Sequence, residues 1–149
     1  MFKSFFPNPR WFFISVLVWL AINMLLWYTG GSTWGEYLGF AKGYADAALP
    51  INVSRFWSPS FIWFYLWFLV STVLFAGFWR YYSDNKWQNW SILGSAFILF
   101  NIWFAVQVNV AIIAWYVPFW DLVQKMLENG GNIIDLYKEA VVFLLIAMV

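Results

Sequence analysis

Four polar side chains sit where polar side chains are expensive. Asn101, Gln107 and Asn109 lie inside a long uncharged run, Trp87 to Trp120, and Asp121 follows it directly. Amide and carboxylate groups inside such a run can line a polar pathway through a membrane. Their other use is hydrogen bonding between helices, worth about 0.6 kcal/mol each. Asn101 and Asn109 are eight residues apart, which at a 100° helical step leaves them about 80° from one another, on one broad face. Ser15 and Asn23 repeat that spacing near the N-terminus, and Gln107 points away from both asparagines. Asp121 suits a water-accessible acid at a cavity mouth, or a solvated charge at a helix end.

Other chemistries are closed to this chain. It has no Cys and no His, so disulfides, thiol catalysis, zinc or haem sites built on those ligands and a Ser–His–Asp site are excluded. No Gly-Lys dipeptide occurs, so there is no Walker A loop. The few acids all fall at or outside the ends of the apolar runs, and no catalytic carboxylate pair is evident. The sequence reads as a non-enzyme with no cofactor and no metal. A net charge of +1 gives no support to nucleic-acid binding.

The elements that must position these residues are membrane helices. Hydrophobic residues make up 64% of the 149 and charged residues 10%, against about 25% charged in a soluble domain. The 13 Trp exceed what a soluble core can satisfy at each indole N–H, whereas the membrane interface uses them. Trp11 to Gly35, Phe56 to Trp79 and Trp87 to Trp120 carry no ionised side chain. A charge at mid-membrane costs roughly 2.5–3.5 kcal/mol, so these gaps predict an all-α integral membrane protein with spans at about 11–28, 59–82 and 90–116. Trp11, Trp27, Tyr28, Trp57, Trp79, Tyr81, Tyr82, Trp87, Trp90, Trp115 and Tyr116 bracket the spans as an aromatic belt. The first run is too long and too apolar for a signal peptide and lacks a small-residue cleavage site.

Lys3 and Arg10 precede the first span, and Arg80 and Lys86 follow the second. Lys42 and Arg55 sit in the first loop, and Lys125 and Lys138 follow the third span. The first four are packed into shorter segments, which places the N-terminus on the cytoplasmic side. In the first loop, "GEYLGFAKG" spaces Gly35, Gly39 and Gly43 by four. That is the small-residue packing pattern, but Glu36 and Lys42 put it outside the membrane, where a flexible or interfacial segment is expected. "NVS" at Asn52 is a formal glycosylation sequon.

After the third span Pro118 is expected to start a new helix. Phe119, Leu122, Val123 and Met126 alternate with Asp121, Gln124, Lys125 and Glu128, predicting an amphipathic interfacial helix over about 118–128. The last charge is Glu139. The apolar run after it would reach about 15 Å, half a hydrocarbon core, and reads as the start of a truncated fourth span over about 136–149.

Specific words add to this. "MFKSFFPNPRWFF", "RFWS" at 55–58, "KWQNWSILGSAFILF" at 86–100 and "AWYVPFWDLVQ" at 114–124 resemble the SbmA/BacA family of bacterial inner-membrane peptide transporters. The resemblance implies proton-driven import of peptides and peptide antibiotics, among them microcins, proline-rich antimicrobial peptides and bleomycin-like compounds. It implies a fold similar to the membrane domain of ABC exporters, a homodimer and no nucleotide-binding domain. The "FWDLVQ" block is similar to a segment following the first core helix of ABC-type membrane domains. The resemblance also implies that this chain covers only the N-terminal part of the family's length, with most of the acids thought to carry protons beyond it. Gln107 stands where a member of the family carries glutamate. Two other readings stay open: a small structural or assembly membrane protein, and the membrane subunit of an ATP-driven ABC transporter.

Overall fold

The structure, a computed structural model, describes residues 9–83, 87–130 and 132–149. Those residues form four α-helices and no strand: α1 (Pro9–Leu26), α2 (Pro59–Tyr82), α3 (Gln88–Asn129) and α4 (Ile133–Ala147). Three helical stretches, Pro9–Gly31, Pro59–Tyr82 and Gln88–Glu128, are long and apolar enough to cross a membrane. Proline opens both α1 and α2, where its missing N–H has no intrahelical partner to lose. Asn132 caps α4, its side chain accepting from the Ile134 N–H at 3.1 Å, which satisfies one of the helix's open donors.

The chain divides into two compact units. The first comprises Met1–Ala47 and Pro59–Leu99, the second Ala48–Ser58 and Phe100–Val149. In the first, α1 and α2 pack antiparallel. Phe12 meets Trp79, Trp19 meets Phe75, and Trp27 meets Trp67 and Phe64, with ring centroids 5.2, 6.0, 5.5 and 5.7 Å apart. Phe12, Trp79 and Ile92 are buried together, with Val16, Phe75 and Ala76 against them. Leu17, Leu25, Leu69 and Leu74 stay exposed, as expected of side chains that face lipid rather than water.

The first loop is ordered. Gly30 leaves the helix at φ 143°, a conformation that only glycine adopts without strain. Buried Tyr44 donates its hydroxyl proton to the Ser32 carbonyl at 2.6 Å and accepts from the Gly35 N–H at 3.1 Å. The indole N–H of Trp63 donates to the Gly31 carbonyl at 2.7 Å. The spaced glycines therefore form no helix-packing face. Gly35 admits the Tyr44 hydroxyl, which a Cβ would displace, while Gly39 and Gly43 turn the chain at positive φ.

In the second unit, α4 packs on the short helical turn Val53–Trp57 and against the C-terminal part of α3 through Trp115. The separate interfacial helix expected over 118–128 is instead the continuation of α3, with Pro118 inside it. Trp115 stacks on Phe119 at 4.5 Å across the proline. This i, i+4 aromatic pair supports the helix where one backbone hydrogen bond is lost.

Candidate functional site

All four residues singled out for a polar pathway lie on α3. From Asn101 to Asp121 the helix rises about 30 Å. Around the axis they form two tracks rather than one cluster: Asn101 and Asn109 about 80° apart, and Gln107 and Asp121 about 40° apart on another side. Asn109 turns back on its own helix, donating to the Ala105 carbonyl at 2.9 Å. Asn101 and Asp121 are exposed and Gln107 is half-buried.

The polar residues of α1 are committed to packing. Ser15 donates to the Phe12 carbonyl at 2.7 Å and accepts from the Trp79 indole at 3.0 Å. Asn23 donates to the Trp19 carbonyl at 2.9 Å. Trp19 in turn donates to the Ser71 hydroxyl at 3.0 Å. Two interhelical indole–hydroxyl bonds thus fix the α1–α2 register.

Two charged residues stand out to which the sequence reading gave no site role. Glu139, on α4, accepts from the Trp115 indole N–H through both its backbone carbonyl, at 3.1 Å, and its carboxylate, at 3.0 Å. Arg55, in the turn before α2, is 8% exposed, and burial depresses its pKa because desolvation penalises the charged form. Glu139 was visible as the last charge before an apolar run, but its partner lies 24 residues away and only the fold selects it. Arg55 opens the "RFWS" word of the first loop, but nothing in the sequence marks it as buried. No cluster of metal-ligating side chains occurs among the described residues.

These features define an all-α, multi-pass membrane protein whose long third helix carries spaced polar groups. Residues 84–149 match the model of the SbmA/BacA-like family, which covers α3 and α4 entire. Over that stretch the chain is similar to the SbmA/BacA-like family. The words at 86–100 and 114–124 lie inside the matched stretch, while those at 1–13 and 55–58 lie outside it.

Proposed function

We propose that the chain serves proton-driven import of peptides and peptide antibiotics across the bacterial inner membrane, as the N-terminal part of a homodimeric transporter. The observation carrying this reading is the family match over α3 and α4, the segment that also holds Asn101, Gln107, Asn109 and Asp121. Peptide crosses by alternating access in a cavity between protomers, and α3 contributes polar groups to its wall. The N-terminus lies in the cytoplasm, as the shorter cation-bearing segments favour.

The test is uptake of a labelled proline-rich antimicrobial peptide by cells lacking their own peptide importer. Expression of the complete reading frame is expected to restore uptake and sensitivity, and a protonophore is expected to abolish the uptake. No uptake sinks the transport reading. Uptake that survives the protonophore but stops on ATP depletion turns it to the ATP-driven class. Reporter fusions before Pro9 and after Tyr82 test the orientation, both being expected on the cytoplasmic side.

A further inference from the structure

The first loop does not rise away from α1 and α2. The chain leaves the first helical stretch at Gly31, whose carbonyl takes the Trp63 indole N–H at 2.7 Å, and then turns back. Trp27, before that exit, and Trp34, after it, both touch Trp67, with ring centroids 5.5 and 5.8 Å away. Phe40 touches Trp63 at 5.9 Å. Trp63 and Trp67 lie about 6 and 12 Å along α2 from Pro59, and their side chains lean back toward that end. The 24 residues of α2 reach about 36 Å, against a hydrocarbon core of about 30 Å. The short helical turn Trp34–Leu38 is therefore held at the depth where headgroups give way to hydrocarbon.

At that depth the polarity of the turn is inverted. Its inner side is the buried Gly35, whose N–H donates to the Tyr44 hydroxyl oxygen at 3.1 Å. The Glu36 carboxylate is tied back to the Gly43 N–H at 2.7 Å. Its outer side is Trp34, Tyr37 and Leu38, which are 43%, 90% and 70% exposed. A turn standing in water would spend its polar groups outward. Here they are spent inward, and two aromatic residues and a leucine face out, as in a segment lying in a membrane interface. Before the exit, Leu25 and Tyr28 are also exposed, so outward apolar side chains stand on both sides of Gly31. Lys42 is exposed as well, and its long apolar stem lets the ammonium reach the headgroup layer.

We propose that the turn Trp34–Leu38 re-enters the bilayer on the loop side and contacts lipid, with Tyr37 and Leu38 among the glycerol groups and upper acyl chains. Depth selects lipid over a protein partner: the ring contacts to Trp63 and Trp67 fix the turn from behind at a level where the surrounding medium is lipid. Composition agrees, because Trp and Tyr are the residues that the membrane interface favours. The inference holds for either orientation of the chain and is independent of what the protein transports.

The chain has no cysteine, so Tyr37→Cys and Leu38→Cys can each carry a single nitroxide, on side chains that the fold leaves outside. In phosphatidylcholine vesicles, collision of each label with oxygen, which collects in hydrocarbon, is compared with its collision with a water-soluble nickel chelate. A label at Leu69→Cys, an exposed position within α2, gives the lipid reference. A label at Asp46→Cys, an exposed charged position of the loop, gives the water reference. The oxygen-to-nickel ratio at positions 37 and 38 is expected to lie near that of Leu69→Cys and on the order of ten-fold above that of Asp46→Cys, because a polar chelate is excluded from the apolar layer. Should one labelled variant fail to fold, the other decides. Ready access of the nickel chelate to either label puts the turn in water and overturns the proposal. Low collision with both reagents means that protein covers the turn, a second copy or another segment, and overturns it equally.

Discussion

Trp115 and Glu139 are joined twice: one indole N–H lies 3.1 Å from the Glu139 carbonyl oxygen and 3.0 Å from its carboxylate. The same indole stacks on Phe119 and packs against Phe143. One buried side chain thus ties α3 to α4 by both hydrogen bonding and ring packing. Trp115→Phe keeps the packing and removes the donor, with an expected loss of about 1–2 kcal/mol. Trp115→Ala also opens a cavity and is expected to cost about 3–5 kcal/mol. Glu139→Gln keeps an acceptor and should cost least of the three. Thermal unfolding in detergent, followed by near-ultraviolet circular dichroism, gives the order. Equal losses for the phenylalanine and alanine variants would show that the ring contacts carry little.

Tyr44 predicts a pH dependence. Its pKa is raised, chiefly by burial, with the Gly35 N–H it accepts from pulling the other way and nearby Glu36 adding to the rise. A raised pKa means the fold favours the neutral phenol. Its stabilisation is present below about pH 10 and is lost as pH climbs through the raised value. The neutral form is also the one that can donate to Ser32. Phenolate absorbance is expected to include a late-titrating component from Tyr44, and that component should vanish in Tyr44→Phe. This variant leaves the Gly35 N–H without its acceptor, at a cost of about 1–3 kcal/mol. A titration unchanged by the substitution would remove Tyr44 from the account.

The helices were legible for a simple reason. An ionised side chain at mid-membrane is costly, so charge-free runs mark them, and three helices long and apolar enough to cross a membrane lie among the described residues. Pro118 misled because proline starts helices more often than it sits inside them. Here α3 runs through it to Asn129, bridged by Trp115 and Phe119. The glycines of the first loop showed a spacing but not its cause, since Gly35 faces a tyrosine nine residues on. The polar residues of α3 were legible one by one. Which of them share a side follows from helical phase, but the pairing of Trp115 with Glu139 rests on chain reversal between α3 and α4, which no local pattern encodes.

The two tracks on α3 make the transport reading testable by residue. Asn109 spends its amide on its own backbone, so Asn109→Ala is expected to leave peptide uptake within two-fold, roughly the effect of one weak intramembrane hydrogen bond. Gln107→Ala/Asp121→Ala removes both polar groups of the other track and is expected to lower uptake several-fold at unchanged protein level. Uptake by the reporter cells, normalised to membrane abundance, separates them. Full activity of the double variant would take that track out of the pathway.

Pro118 gives the last prediction. Its nitrogen carries no hydrogen, so the Ala114 carbonyl one turn earlier loses its intrahelical donor, and the ring presses on that turn. Pro118→Ala restores the donor and relieves the clash, and the Trp115–Phe119 stack does not depend on the ring. Proline in a helix interior costs about 3 kcal/mol relative to alanine, and neighbouring groups in membrane helices recover part of that. The variant is therefore expected to be more stable by about 1–2 kcal/mol, read as a higher Tm in detergent. If uptake falls while Tm rises, the local weakness in α3 serves the transport cycle, because a helix stiffened at that point would resist the change between inward- and outward-open states. A lower Tm would mean instead that the ring's packing outweighs the missing hydrogen bond.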